Sequence, residues 1–135
     1  MTPGNGASAN GGDGPVAAET TQSGLLRFLR ADALDVYDVL SADARENVDR
    51  LLADYRADVP GDVDDDTERL LKRVAVDHHR ERVAMAAIVR DGLSVNEDGE
   101  DVPNPVVDER VRLARRQRHR LRRLGVYPAG PGGSV

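Results

Sequence analysis

Apolar residues recur at helical spacing from about Gly24 to Leu124 and show no period in either end of the chain. Met1 to Ser23, rich in Gly, Ala, Ser, Asn and Thr, predicts a disordered tail, and residues 128–135 predict another. Leu25, Leu26, Phe28, Leu29, Leu34, Tyr37 and Leu40 fit one or two short helices with a break near Ala31 or Asp32. Ser41 stands as the N-cap of a helix from about Ala42 to Arg56, in which Val48, Leu51, Leu52 and Tyr55 repeat, and Pro60-Gly61 end it. Residues 24–61 thus admit a small helix-turn-helix. Asp43, Glu46, Asp49 and Asp54 offset Arg45, Arg50 and Arg56 there, whereas a recognition helix is ordinarily more basic, so the residues favour a packing role.

The longest predicted element runs from about Asp66 to Asp91, about 39 Å at ~1.5 Å per residue. Asp65 is its predicted cap, with Glu68 as capping-box partner, and Gly92 closes it. Leu70, Leu71, Val74, His78, Met85, Ala86, Ile88 and Val89 trace its apolar stripe; Arg69, Arg73, Arg80, Glu81 and Arg82 supply the polar side. Ala84, Ala86 and Ala87 leave room for a close neighbour. Leu93 to Val102 alternates around Asp98-Gly99 and predicts a β-hairpin. Pro103 ends it, Asn104 caps a final helix with Pro105 in its first turn, and Gly125 and Pro128 stop that helix after Leu124. Val107, Val111, Ala114, Arg118, Leu121 and Leu124 lie near its apolar face. The predicted fold is all-α: short N-terminal helices, then a long antiparallel helical hairpin over residues 62–127 with a small β-hairpin between its arms.

Composition adds a reason to expect assembly. One Phe, three Tyr and no Trp leave Leu, Val and Ala to form the core of a 135-residue chain, and so lean a domain often gains stability by oligomerising. With no cysteine there is no disulfide framework. There is no signal-like N-terminus and no apolar run near the ~18 residues of a membrane span, so a soluble, cytoplasmic protein is expected. A single lysine, Lys72, stands against 18 arginines, a bias that suits a GC-rich genome and also a salt-loving host.

Charge is sharply segregated. Residues 110–135 hold eight arginines and no acid, a formal +8, which leaves −13 on residues 1–109 of a chain whose net charge is −5. Such asymmetry points to a polyanion or to a strongly charged partner surface. Eight arginines on ~20 Å of helix cannot all face one way, so some should reach phosphate while others pair with acids, with Asp64, Asp65, Asp66, Asp77 and Asp91 as candidate mates. The candidate DNA contacts are Arg112, Arg115, Arg116, Arg120, Arg122 and Arg123.

Other chemistry is less well supported. Asp62 to Glu68 lacks the Gly and Glu that a calcium loop needs, having Thr67 and Arg73 at those places. His78 and His79 are adjacent, about 100° apart on a helix, whereas chelation favours a spacing of three or four. No nucleophile–base set, phosphate loop or dinucleotide turn is present, and neither an enzyme nor a cofactor or metal is expected.

The order of pieces in residues 66–128 carries a resemblance. A long helix ending in VRDGL, a short polar hairpin and NPVVDERVRLARRQRHRLRRLGVYP, with its Leu124-Gly125-Val126-Tyr127-Pro128 stop, resembles the C-terminal half of phage terminase small subunits. The acidic N-terminal half and the arginine density depart from common members. The resemblance implies a viral or proviral DNA-packaging protein that forms a homo-oligomeric ring, binds double-stranded DNA and regulates a large subunit holding the ATPase and nuclease. Its location would then be the cytoplasm of the infected or provirus-carrying cell. A small helical DNA-binding transcriptional regulator and a non-DNA-binding oligomeric scaffold are the alternatives.

Overall fold

A computed structural model of the chain describes residues 21–126. The tails expected at the two ends fall largely outside that range, as do Tyr127 and Pro128. Among the described residues there are five helices and one two-stranded antiparallel sheet: α1 (Gln22–Arg30), α2 (Ala33–Val39), α3 (Ala42–Asp58), α4 (Asp65–Asp91), β1 (Ser94–Glu97), β2 (Glu100–Pro103) and α5 (Pro105–Arg123). No helix among them is long and apolar enough to cross a membrane.

Side-chain caps set the helix starts. The Thr21 hydroxyl accepts from the Gly24 amide at 3.0 Å, so α1 begins at Gln22, inside the stretch expected to be tail. The break between α1 and α2 falls at Ala31 and Asp32, and Asp32 caps α2 through Leu34 and Asp35. Ser41 caps α3 as its sequence indicates. At α4 the capping oxygen comes from Asp64, which accepts from the Thr67 amide at 2.8 Å, rather than from Asp65. Asp65 sits one residue inside the helix, where its charge still favours the positive helix end.

The α4 and α5 helices run antiparallel, with Gly92 beside Asn104, Glu81 beside Gln117 and Asp77 beside Arg120. The turn between the arms is the predicted hairpin. Asp98 and Gly99 both take positive φ (54° and 86°), a pair of left-handed residues that matches the twist of two short strands. Val95 faces Val102 across it, the one half-buried pair of the ladder. Asn104 then ties the arms together. It is buried, its Oδ1 accepts from the Val106 amide at 3.0 Å, its Nδ2 donates to the Gly92 carbonyl at 2.8 Å, and its own amide donates to Leu93.

The helices α1, α2 and α3 pack on this pair. Leu25, Phe28 and Leu29 of α1, Val36 of α2 and Val48 and Leu52 of α3 close a core with Leu71, Val76, Ala84, Val106 and Leu113. The buried faces of the long helices differ from the expected stripes. On α4, Leu71 and Val74 are buried, but Met85, Ala86 and Val89 are exposed, while Asp77 and Arg80, one of them expected on the polar side, are fully buried. On α5 the inner face is Val106, Glu109, Leu113, Gln117 and Leu121, with Val111 and Arg118 outside. In both helices the cause is the same: charged and amide groups that find hydrogen-bond partners occupy core positions, so apolar residues alone misplace the face.

Candidate nucleic-acid interface

The arginine-bearing helix is held rigidly at both ends. Asn104 and Pro105 fix its start. At its end Gly125 turns the chain at φ 77°, and a Cβ there would lie 3.1 Å from Pro60 Cγ. Val126 packs behind it with Leu121 and Val74. The rotation of α5 about its axis is therefore set by the core, and that rotation decides what each arginine can do.

Half of the eight arginines are engaged inside the chain. Arg116 Nε and Arg120 Nη1 each donate to Asp77 Oδ2 at 2.9 Å, and Arg80 Nη2 donates to Asp77 Oδ1 at 2.6 Å. One buried carboxylate thus gathers three guanidinium groups. Arg80 also donates from Nη1 to the carbonyls of Phe28 (2.9 Å) and Ala31 (2.7 Å), placing its charge at the negative end of α1. Burial pushes the Arg80 and Arg120 pKa values down from their ordinary value, but an arginine stays protonated throughout. The surplus charge of the group is solvated through Arg116 and Arg120, whose side chains are 34% and 18% exposed. Arg112 lies 3.2 Å from the buried carboxylate of Glu109, which also accepts from Arg30 at 2.6 Å, and Arg110 lies 3.6 Å from Glu81. Of the acids proposed as mates, Asp77 alone binds α5: Asp64 caps, Asp66 pairs with Arg69, and Asp91 pairs with Arg90.

The other half are open. Arg115, Arg118, Arg122 and Arg123 are exposed, and none has an acid partner among the described residues. At ~100° per residue Arg115, Arg118 and Arg122 form one outward ridge about 10 Å long, and Arg123 stands to its side. Arg123 also lines a cleft of about 390 Å³ at the end of the ridge, with Arg69, Arg73, Leu70 and Leu124. Arg73 there is bound to Asp32 at 3.1 Å. Four exposed cations with no counter-charge among the described residues present a surface suited to successive phosphates.

No protein family, curated protein or solved structure matches the chain. The geometry alone therefore sorts the sequence-derived candidates. It leaves Arg115, Arg122 and Arg123 free, puts Arg112 beside Glu109 with most of its length exposed, and commits Arg116 and Arg120 to Asp77. It adds Arg118, which the apolar periodicity had placed on the inner face. The missed signal is the regular spacing of Val106, Glu109, Leu113, Gln117 and Leu121, which turns Arg118 outward once Glu109 and Gln117 are admitted to the core.

The paired histidines belong to packing. The Tyr55 hydroxyl lies 2.7 Å from His78 Nδ1, and His79 meets the Phe28 ring edge-on at 6.5 Å. Burial is the main cause lowering both imidazole pKa values, with Arg82 adding repulsion. Among the described residues no three His, Asp or Glu side chains come together where a metal could sit.

Proposed function

We propose that the chain is a DNA-binding protein of the terminase small-subunit type, which holds the phosphate backbone through the outward arginines of α5. The observation that carries the DNA-binding part is the division of α5: four arginines are held by acids, and Arg115, Arg118, Arg122 and Arg123 stand exposed with no acid partner among the described residues. A purely structural basic helix, matched to an acidic body, would leave no such remainder. The packaging role, the multi-subunit assembly and the partnership with a large ATPase and nuclease subunit rest on the sequence resemblance of residues 66–128. In this reading the chain performs no catalysis and needs no cofactor.

A recognition role for α3 is not favoured. Its arginines are occupied at home: Arg45 donates to the Tyr37 carbonyl, Arg56 to Glu68, and Arg50 lies by Asn47 and Glu46. This weighs against the small-regulator alternative. Contact would then be to backbone, with little base reading.

The test is duplex binding across a salt series. Replacing Arg122 and Arg123 together by Ser should weaken binding and reduce the slope of log affinity against log salt by about 2. An unchanged slope in a folded variant removes the DNA reading. For the packaging role, light scattering should give a mass several times the 14.6 kDa of one chain and co-purification should recover the large subunit; a monomer at moderate salt argues against it.

A further inference from the structure

The last turns of α4 present an apolar face that no element among the described residues covers. Met85 and Ala86 are exposed, Val89 is 81% exposed, and Leu93, just beyond the helix, is 71% exposed. Two turns before Met85 the same face carries His78, which Tyr55 covers. The hairpin beyond is strongly acidic. Glu97, Asp98, Glu100 and Asp101 are exposed and have no cationic partner among the described residues. Its register sets Glu97 directly opposite Glu100, a like-charge pair that costs the hairpin stability. A cation from outside would relieve it.

The outer ridge of α5 has the complementary character. Val111 is 36% exposed, and Arg115 and Arg118 follow it one and two turns on, neither with an acid partner among the described residues. Within one chain the surfaces are held apart, because α5 leads straight away from the hairpin and Arg118 lies about 20 Å along it from Pro105. Another copy has no such constraint.

We propose that α4's exposed end and the acidic hairpin of one copy dock on Val111, Arg115 and Arg118 of a second copy, head to tail. Val89 and Leu93 cover Val111, and the carboxylates of the hairpin pair with the two guanidinium groups. The contact is heterologous, so each copy keeps one surface of each kind and the series can extend or close. It leaves Arg122, Arg123 and the adjoining cleft to DNA, and so assigns different parts of the ridge to assembly and to phosphate. The self-contact stands without the DNA reading; only this division rests on it.

Sedimentation velocity on the full chain tests it with three variants. One neutralises the hairpin (Glu97→Gln, Asp98→Asn, Glu100→Gln, Asp101→Asn), one is Arg115→Ser with Arg118→Ser, and one is Arg122→Ser with Arg123→Ser. Wild type should exceed one chain's mass at low salt and dissociate as salt screens the pairs. The first two variants should each remain monomeric, and an equimolar mixture of them should form a particle of twice 14.6 kDa that grows no further, since one supplies intact acids and the other intact arginines. The third should associate like wild type while losing duplex affinity. Monomeric wild type at low salt, wild-type association by either of the first two, or a mixture that fails to pair overturns the proposal. Unchanged duplex affinity in the third, with the mass results as expected, overturns the DNA reading and leaves the self-contact standing.

Discussion

Arg115 and Arg116 are neighbours in sequence and opposites in circumstance. Arg116 reaches inward to Asp77 and shares that carboxylate with Arg120 and with the fully buried Arg80, while Arg115 stands in solvent with no acid partner among the described residues. A step of ~100° about the axis of α5 separates a guanidinium used for cohesion from one available to a ligand. Residue type and segment charge say nothing about that step. It is fixed by which face of α5 the core accepts, and that face is fixed by two polar residues, Glu109 and Gln117, as much as by Val106, Leu113 and Leu121.

The most severe way to break the comparison is to remove the inner anchor. Asp77→Ala leaves three arginines facing one another with a buried guanidinium unpaired, and should lower the unfolding free energy by about 3 to 5 kcal/mol in urea titration. A loss below about 1 kcal/mol would mean that solvent and the α1 carbonyls suffice for Arg80, and the inner group would no longer count as cohesive.

A gentler cut compares the neighbours directly. Arg116→Ser removes two hydrogen bonds to Asp77 but leaves those from Arg80 and Arg120, and should cost about 1 to 3 kcal/mol. Arg115→Ser should stay within about 0.5 kcal/mol of wild type and should show its effect in sedimentation instead. Equal losses in the two variants would erase the distinction on which the interface is drawn.

Much of this molecule is legible in its sequence because its boundaries are made by local chemistry. Ser41, Asn104, Pro105, Gly92 and the Asp98-Gly99 turn act through their own backbone neighbours, and each does so where the sequence indicates. The rotation of the long helices is a different matter. Arg80 reads as a surface residue until the carbonyl ends of α1 and the carboxylate of Asp77 are brought to it, from 52 and three positions away in the chain. The cap of α4 is expected at Asp65 and falls at Asp64, since either could offer an oxygen to the first turn and a single residue of phase decides. The open arginines become visible only by subtracting those the core has claimed.

The smallest effect expected is a pH dependence, and it separates the arginines of α4 from the outer four of α5 through His78 and His79. His78 and His79 are held below their ordinary value of 6.5, first by burial and then by Arg82, and Arg80 adds to the repulsion at His79; none of the outer four contributes. Unfolded histidines take up protons near pH 6.5 while the folded ones resist, so between the two pKa values the unfolded state binds more protons and stability falls as pH falls. That contribution is complete above about pH 6.5 and is lost progressively below it. The carboxylate of Glu68, lowered chiefly by its hydrogen bond from Arg56, acts only at lower pH, below its ordinary value of 4.5. Urea midpoints should therefore decline shallowly from about pH 6.5 to 5 and more steeply in the carboxylate range. His78→Gln should flatten the shallow part, Arg82→Ser should lessen it, and Arg122→Ser should leave it alone. A shallow phase that survives His78→Gln but responds to Arg122→Ser would show the outer ridge coupled to the core, and the two sets of arginines would have to be treated as one.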